Sequence, residues 1–209
     1  MQPRRTRLFL LLPILAGSSL QGAEEWRPEP LPRDEEIVEA LAACPVSIRL
    51  GAGVYVLRSE GFESERESAN GFNAIIQRSQ PGAFEPQCLD AEGSATILEA
   101  ILLEARWRMK GAGQDEIDRA VGLAWARGEL SAPRRPGINY MLSEHNKVPI
   151  DADTVIPYQP HVMFYAPYLS NVDLGAEPIG SAPVFVVNEG QPDAYVIVPV
   201  SVEKEQGGH

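Results

Sequence analysis

The sequence predicts an α+β fold, in which a mainly antiparallel sheet is packed on one face by a helical hairpin and preceded by a short helix. Two observations predict this class. The candidate strands fall into two groups separated by two amphipathic helices, an order unlike the alternating strands and helices of parallel α/β sheets. The 209 residues are 44% hydrophobic and 22% charged, which is typical of one globular domain. We assign that domain to residues 34–202.

The N-terminus has the three parts of a secretory signal peptide. A basic start with Arg4, Arg5 and Arg7 is followed by an apolar core over residues 8–16 and by small residues up to Ala23. This pattern is typical of export, and the core is far shorter than the roughly 20 residues that span a bilayer. We therefore predict an exported protein, periplasmic or extracellular, whose mature chain has no transmembrane anchor.

Outside the domain, the chain divides into a signal peptide over residues 1–23, a Pro-rich linker over 24–33 and a polar tail over 203–209. The net charge of the full chain is −11, and without the signal peptide 15 basic and 29 acidic residues give −14. Because phosphate binding needs a basic face, nucleic acid is excluded as a partner. The expected partner is a small molecule or an envelope protein, and no cofactor is expected.

The only cysteines are Cys44 and Cys88. An even number of cysteines in an exported protein favours a disulfide, here closing a loop of about 44 residues. One alternative is that Cys88 is a free, reactive thiol with a histidine base elsewhere in the sequence. Two free buried thiols are a further alternative.

A short helix is predicted directly after the linker, because acidic residues 34–36 suit the positive N-terminal end of a helix dipole. Ile37, Leu41 and Cys44 give this helix one buried stripe, and Pro45 ends it.

Three strands are predicted next, and they are expected to form an antiparallel meander. Glu63, Glu65 and Glu67 alternate along the second of them, which would place the three carboxylates on one face. A solvated face is favoured over a metal site for these glutamates. The predicted strands are residues 54–58, 62–67 and 72–78.

Two amphipathic helices are predicted over residues 95–110 and 115–127. Thr96 and Glu99 have the spacing of a capping box at the start of the first helix. Gly128 follows the second helix as a C-terminal cap. The short Gly-Ala-Gly link between them predicts an antiparallel hairpin that covers one face of the sheet.

The remaining strands are predicted in the C-terminal third of the chain. The last of them is a continuous apolar run, and such a strand is expected to be buried on both faces at the centre of the sheet. The predicted strands are residues 137–143, 161–165, 184–187 and 194–200.

Three residues form a candidate copper site. His161 and Met163 alternate on one face of a predicted strand, and Met141 lies on another strand. Imidazole and thioether ligands suit copper. A structural role is favoured, because a metal site normally needs three or four well-placed ligands.

A hydrolytic site is a second hypothesis. Ser143 or Cys88 would be the nucleophile, His161 the base and Asp90 the group that orients the imidazole, with Asp173 as an alternative. Neither a Gly-x-Ser-x-Gly elbow nor a His-Glu-x-x-His zinc motif occurs in the sequence.

A ligand pocket is the third hypothesis, because aromatic side chains beside polar groups are a common pocket lining. The same residues would also suit an ordinary core. We therefore predict an exported ligand-binding or accessory envelope protein, with a hydrolase and a protein-interaction or structural module as the alternatives. The candidate pocket residues are Tyr140, His145, His161, Tyr165, Tyr168 and Arg78.

Overall fold

The computed structural model describes residues 26–177 and 182–201. The predicted signal peptide and the polar tail over 203–209 lie outside these residues. Residues 26–32 form neither helix nor strand, but Pro28 is buried and Leu31 packs against the core. Within the described ranges, no helix is long and apolar enough to cross a membrane.

The described residues form five α-helices, ten strands and one 3₁₀ turn at Val172–Leu174. The helices are α1 (Arg33–Ala42), α2 (Val46–Arg49), α3 (Ala91–Ser94), α4 (Ile97–Met109) and α5 (Gln114–Ala126). The strands are β1 (Gly53–Arg58), β2 (Gly61–Arg66), β3 (Asn73–Gln77), β4 (Glu85–Leu89), β5 (Ile138–Met141), β6 (Lys147–Pro149), β7 (Val155–Pro157), β8 (His161–Tyr165), β9 (Phe185–Val187) and β10 (Tyr195–Pro199).

Eight strands form one sheet in the order β2-β1-β3-β4-β5-β8-β10-β9, and β6 and β7 form a separate hairpin. Every neighbouring pair in the sheet is antiparallel except β1 and β3, which are parallel. The predicted α+β class with an antiparallel-dominated sheet is therefore confirmed.

The predicted meander is wrong in one respect. β1 and β2 form an antiparallel hairpin, but β3 pairs with β1 in parallel, so that β2 lies at the edge of the sheet. The physical reason is burial: Ala74, Ile75 and Ile76 of β3 are fully buried, whereas Glu63 of β2 is exposed. A charged strand is better placed at an edge, where its carboxylates stay in water.

Helices cover both faces of the half of the sheet that contains β1, β3 and β4. On one face, Val54, Val56, Ala74, Ile76 and Cys88 pack against α1. On the opposite face, side chains of β3 and β4 pack against α4, which in turn contacts α5. β1, β3 and β4 are consequently the strands buried on both faces.

The position predicted for the last strand is wrong. β10 lies next to the edge of the sheet, between β8 and the three-residue β9. Ile197 is its only buried residue. The face that carries Val196 and Val198 stays half-exposed, because the contacts of α1 are with β1, β3 and β4 at the other end of the sheet.

The predicted capping box at Thr96 is also wrong. The Thr96 hydroxyl donates to the Glu92 carbonyl at 2.6 Å instead of accepting a bond from the start of α4. The short helix α3 directly precedes Thr96, and its carbonyls are within reach of the hydroxyl. Gly128 does follow α5 in a left-handed conformation, with φ of +70°, which a glycine adopts without steric cost.

Cys44 and Cys88 form the predicted disulfide, which joins the chain just after α1 to strand β4. Their Cα atoms are 5.2 Å apart, and both residues are fully buried. The bond therefore holds α1 against the sheet across 44 residues of sequence.

We expect the double substitution Cys44→Ala/Cys88→Ala to lower the free energy of unfolding by about 3–4 kcal/mol, because the unfolded chain regains the entropy of an open loop. Urea denaturation measures the change. Reduction of the unsubstituted protein should lower its stability to a similar extent and leave the variant unchanged. Equal denaturation midpoints for the oxidised protein and the variant would contradict this role.

Candidate functional site

A cavity of about 700 Å³ lies between the sheet and the helices α4 and α5. Its floor is formed by the sheet from β3 to β9, and its roof by one face of each helix. Gly122, Ile150 and Gln191 line the cavity and are exposed, so they mark its opening. The volume is within the range of about 300–1,000 Å³ that is usual for small-molecule sites.

A chain of three side-chain amides crosses the floor of this cavity. Asn139 Nδ2 donates to Gln87 Oε1 at 2.6 Å, and Gln87 Nε2 donates to Gln77 Oε1 at 2.6 Å. Gln77 Nε2 then donates to Glu104 Oε2 of α4 at 3.3 Å. We name Asn139, Gln87 and Gln77 the amide chain.

The backbone fixes the direction of the amide chain. The Cys88 N–H donates to Asn139 Oδ1 at 3.1 Å, so the Asn139 amide nitrogen must face Gln87. Each amide in turn accepts from one neighbour and donates to the next. The chain therefore delivers a hydrogen-bond donor to the carboxyl group of Glu104, and successive bonds of this kind polarise one another.

Two carboxyl groups in the cavity have strongly shifted pKa values. Burial raises the pKa of Glu85 to about 7. Burial likewise raises the pKa of Glu104 to about 7; Arg108 opposes this shift, whereas Asp193 and Glu85 add to it. Both groups are thus close to half-protonated at neutral pH. Glu85 Oε2 accepts the N–H of Ser79 at 3.2 Å.

Two more carboxyl groups line the same cavity. Asp118 is exposed at the opening and accepts from Gln114 Nε2 at 2.7 Å. Asp193 accepts from Asn188 Nδ2 at 2.9 Å, and burial raises the pKa of Asp193. The charges of Asp193, Glu85 and Glu104 also act on the Tyr195 hydroxyl, which shows that these groups converge.

The nearest positive charge lies behind Glu104. Arg108 is buried one turn further along α4, where it donates to Gln114 Oε1 at 3.0 Å and its guanidinium lies 5.7 Å from the centre of the Trp26 ring. Within the part of the chain that the structure describes, it forms no ion pair within 4.0 Å with the cavity carboxylates. The cavity therefore carries an excess of negative charge.

The rest of the cavity wall is apolar. A buried apolar cluster lines the cavity on the side of the sheet and contains Met141, Met163 and Ile197. Trp125 of α5 lines the cavity as well. We name this surface the apolar wall. Its other members are Val148, Tyr158, Phe185, Val187 and Tyr195.

Of the six predicted pocket residues, only His161 and Tyr165 line the cavity. Tyr140 lies on the opposite face of the sheet and packs against Phe72, with the ring centroids 6.2 Å apart. Tyr168 is 64% exposed. His145 lines a separate surface groove, where its Nδ1 lies 2.7 Å from the Glu39 carboxylate.

Arg78 belongs to a buried ion pair and not to the cavity. Its guanidinium contacts the Glu36 carboxylate at 3.0 Å, and the two side chains are 7% and 1% exposed. It also donates to the Ile76 carbonyl at 2.7 Å and lies over the Phe84 ring. The helix α1 thus buries Glu36 as well as apolar residues, and the predicted stripe residues Ile37 and Leu41 are only half-buried.

His161 is a neutral, buried side chain in the cavity floor. Burial lowers its pKa, and its Nδ1–H donates to the Gln159 carbonyl at 3.0 Å. The edge of the ring contacts Tyr158, with centroids 4.9 Å apart. Met141 and Met163 line the same cavity, but they pack against Ile197. Among the described residues, no group of three or more His, Cys, Asp or Glu is placed to hold a metal ion.

Tyr165 completes the cavity wall through a close contact with the backbone. Its hydroxyl donates to the Ile138 carbonyl at 3.2 Å, and burial raises its pKa. The ring lies where Cβ atoms would stand on Gly93 and Gly137. Glycine is therefore required at both positions.

The residues predicted for hydrolysis have other partners. Cys88 is bonded to Cys44 and has no thiol. Ser143 Oγ accepts the N–H of His145 at 3.0 Å. Asp90 accepts the N–H groups of Gly93 and Ile138, which fixes the start of α3. No hydrogen bond joins any of them to His161 within residues 26–177 and 182–201.

The sequence reasoning missed the residues that give the cavity its chemistry. A signal for Glu104 was present, because it follows Ile101 by three residues on the buried side of α4. β4 was not predicted, and Glu85, Gln87 and Asn139 were therefore not recognised as neighbours. Comparison of the chain with protein-family models, curated proteins and solved structures gave no match.

We expect Glu36→Ala to lower the free energy of unfolding by about 3–5 kcal/mol, because Arg78 is left buried without its counter-charge. The exposed pair of Arg127 and Glu129 provides the control, since Glu129→Ala should change stability by less than about 0.5 kcal/mol. Chemical denaturation measures both. The double variant Glu36→Met/Arg78→Met should recover most of the loss, and a small effect of Glu36→Ala would argue against a structural role.

A second stability experiment concerns Glu104. Because its folded pKa of about 7 lies above the ordinary value of 4.5, ionisation weakens the folded state as pH rises from about 4.5 through 7. We expect Glu104→Gln to be more stable than the unsubstituted protein at pH 8 by about 1–3 kcal/mol and equal to it at pH 4.

Urea denaturation at both pH values tests this, with the exposed Glu116→Gln as the control. A stability difference that is the same at pH 4 and pH 8 would show that Glu104 ionises like an exposed carboxyl group.

Proposed function

We propose that the protein is exported and binds a small molecule in the cavity between the sheet and helices α4 and α5. The observation that carries the proposal is the lining of this cavity, in which an oriented amide chain and two half-buried carboxyl groups stand beside the apolar wall. Most small-molecule sites combine apolar surface with a few fixed polar groups in this way. The basic and apolar N-terminal pattern and the disulfide support export, because disulfides persist in oxidising compartments.

The structural needs of the fold do not account for Glu85 and Glu104. Both carboxyl groups are ionised only at a cost, since burial raises the pKa of each to about 7. A neutral amide at either position would avoid that cost, and single substitutions that stabilise a natural protein are common. Strongly shifted carboxyl groups that meet in a cleft are typical of binding and catalytic sites.

The hydrolase alternative has less support. It needs a nucleophile within hydrogen-bond reach of a base, but the Ser143 hydroxyl accepts from the backbone of His145 and the Cys88 sulfur is in a disulfide. Binding needs only the cavity and its polar groups.

Gly122 allows a direct test of the cavity. It lies at the opening, and a Cβ at this position would meet no atom within 4 Å. We expect Gly122→Trp to fill the opening and to weaken binding of the uncharged dye N-phenyl-1-naphthylamine at least about tenfold, since the apolar wall becomes inaccessible. The increase in dye fluorescence on binding is the measurement.

The matched control is Leu123→Trp, because the neighbouring Leu123 is exposed and is not part of the cavity lining. This variant should bind the dye like the unsubstituted protein. Equal binding by both variants, or no binding by the unsubstituted protein, would overturn the proposed function. If the dye binds as expected, mass spectrometry of protein purified from a periplasm would identify a retained natural ligand.

A further inference from the structure

The charge around the cavity is unbalanced. The titratable lining comprises four carboxyl groups, three tyrosines and one neutral histidine, and no lysine or arginine among the described residues lines it. Arg108 does not line the cavity, although its charge acts on Glu104, Asp118 and Glu85, and it is held by Gln114 and Trp26. The lining groups are Glu85 of β4, Glu104 of α4, Asp118 of α5, Asp193 before β10, His161 and Tyr165 of β8, Tyr158 and Tyr195.

We infer that the ligand is an organic cation, a protonated amine with an apolar body, whose ammonium group lies between Glu85 and Glu104. This inference rests on the proposed function and names the chemical class of its ligand. The charge excess disfavours an anion, because like charges repel more strongly near a protein surface than in bulk water. A cation is the ligand that this charge distribution attracts.

The hydrogen bonds of the two carboxyl groups leave room for an ammonium donor. Glu85 Oε2 accepts from the Ser79 N–H, and Glu104 Oε2 accepts from Gln77. Within the described part of the chain, Oε1 of Glu104 accepts no hydrogen bond, whereas Glu85 is approached by the Ser79 hydroxyl as well as by the Ser79 N–H. A carboxylate only accepts hydrogen bonds and an ammonium group only donates them. Hydrogen bonds between such ionised groups are about twice as strong as those between neutral groups.

The apolar wall supplies the surface for the rest of the ligand. Trp125, Tyr158 and Phe185 contribute aromatic rings, and Met141 and Met163 contribute flexible thioether chains beneath them. Aromatic faces also attract a cation through the ring quadrupole. The electrostatic and the apolar parts of the cavity thus favour the same amphipathic amine.

The inference predicts proton release on binding. At neutral pH, Glu85 and Glu104 each hold part of a proton, because burial raises the pKa of both to about 7. Arg108 opposes these shifts, and Asp193 adds to that of Glu104. Since a bound ammonium favours the ionised carboxylates, it displaces these protons. Amine affinity should therefore rise as pH increases from 6 to 8.

The experiment uses three compounds with one apolar body: 4-phenylbutylamine, 4-phenylbutanol and 4-phenylbutyrate. Each is titrated into the full protein with N-phenyl-1-naphthylamine bound, and displacement of the dye is measured at pH 6 and pH 8. At pH 8 the amine should displace the dye at a concentration about tenfold or more below that of the alcohol, and the carboxylate should be weakest. The advantage of the amine should shrink at pH 6.

Two variants localise the effect. Glu85→Gln and Glu104→Gln should each reduce the advantage of the amine over the alcohol about tenfold, because each variant loses a hydrogen bond between the ammonium group and a carboxylate. Displacement of the dye by the alcohol should stay unchanged. The exposed Glu116→Gln should retain the full advantage. Both cavity variants replace a half-buried carboxyl group by a neutral amide of nearly the same size, so they are expected to fold.

The outcomes separate this inference from the proposed function. If the dye does not bind the unsubstituted protein, the proposed function fails. If the dye binds but the amine and the alcohol displace it equally, the cavity is a binding site and the inference of a cationic ligand is overturned. An amine advantage that survives both cavity substitutions would also overturn it.

Discussion

The hydrogen bond from the Cys88 N–H to Asn139 Oδ1 connects the two faces of the sheet. On one face, the Cys88 sulfur holds the chain after α1 through the disulfide; on the other, the Asn139 amide begins the chain that ends on Glu104. A shift of one residue in the register of β4 would exchange these faces. Glu85 would then lie under α1, so the disulfide and the cavity depend on one register.

The two faces of β4 differ in how they contribute to stability. Beneath α1, buried apolar side chains and the disulfide stabilise the fold, and the buried Glu36 carboxylate is paired with Arg78. In the cavity, polar groups are placed where burial raises the pKa of Glu85 and of Glu104. The face of β4 toward α1 stabilises the fold, whereas the carboxyl groups on the cavity face lower its stability. This difference is expected if the cavity residues are selected for binding.

The sequence allowed prediction of the features that depend on local pattern. The fold class, the disulfide, the helices near α4 and α5 and the strand His161–Tyr165 follow from periodicity, spacing and composition. The parallel pairing of β3 with β1 and the edge position of β10 depend on contacts between distant segments, which no local pattern encodes. The cavity was missed for the same reason, because Gln77, Gln87, Asn139 and Glu104 become neighbours only through the sheet order.

The amide chain and the acidic lining have one electrostatic explanation under the proposed function. In the absence of a ligand, protons on Glu85 and Glu104 reduce the negative charge of the cavity. A bound amine would neutralise the same groups in their ionised form, so that protons and ligand are alternative counter-charges. The amide chain serves both states, since Gln77 Nε2 donates to Glu104 Oε2 whether or not Oε1 carries a proton. Under the proposed function, protons below about pH 7 or a bound amine would compensate the two carboxyl groups, which would reduce the cost of placing both in one cavity.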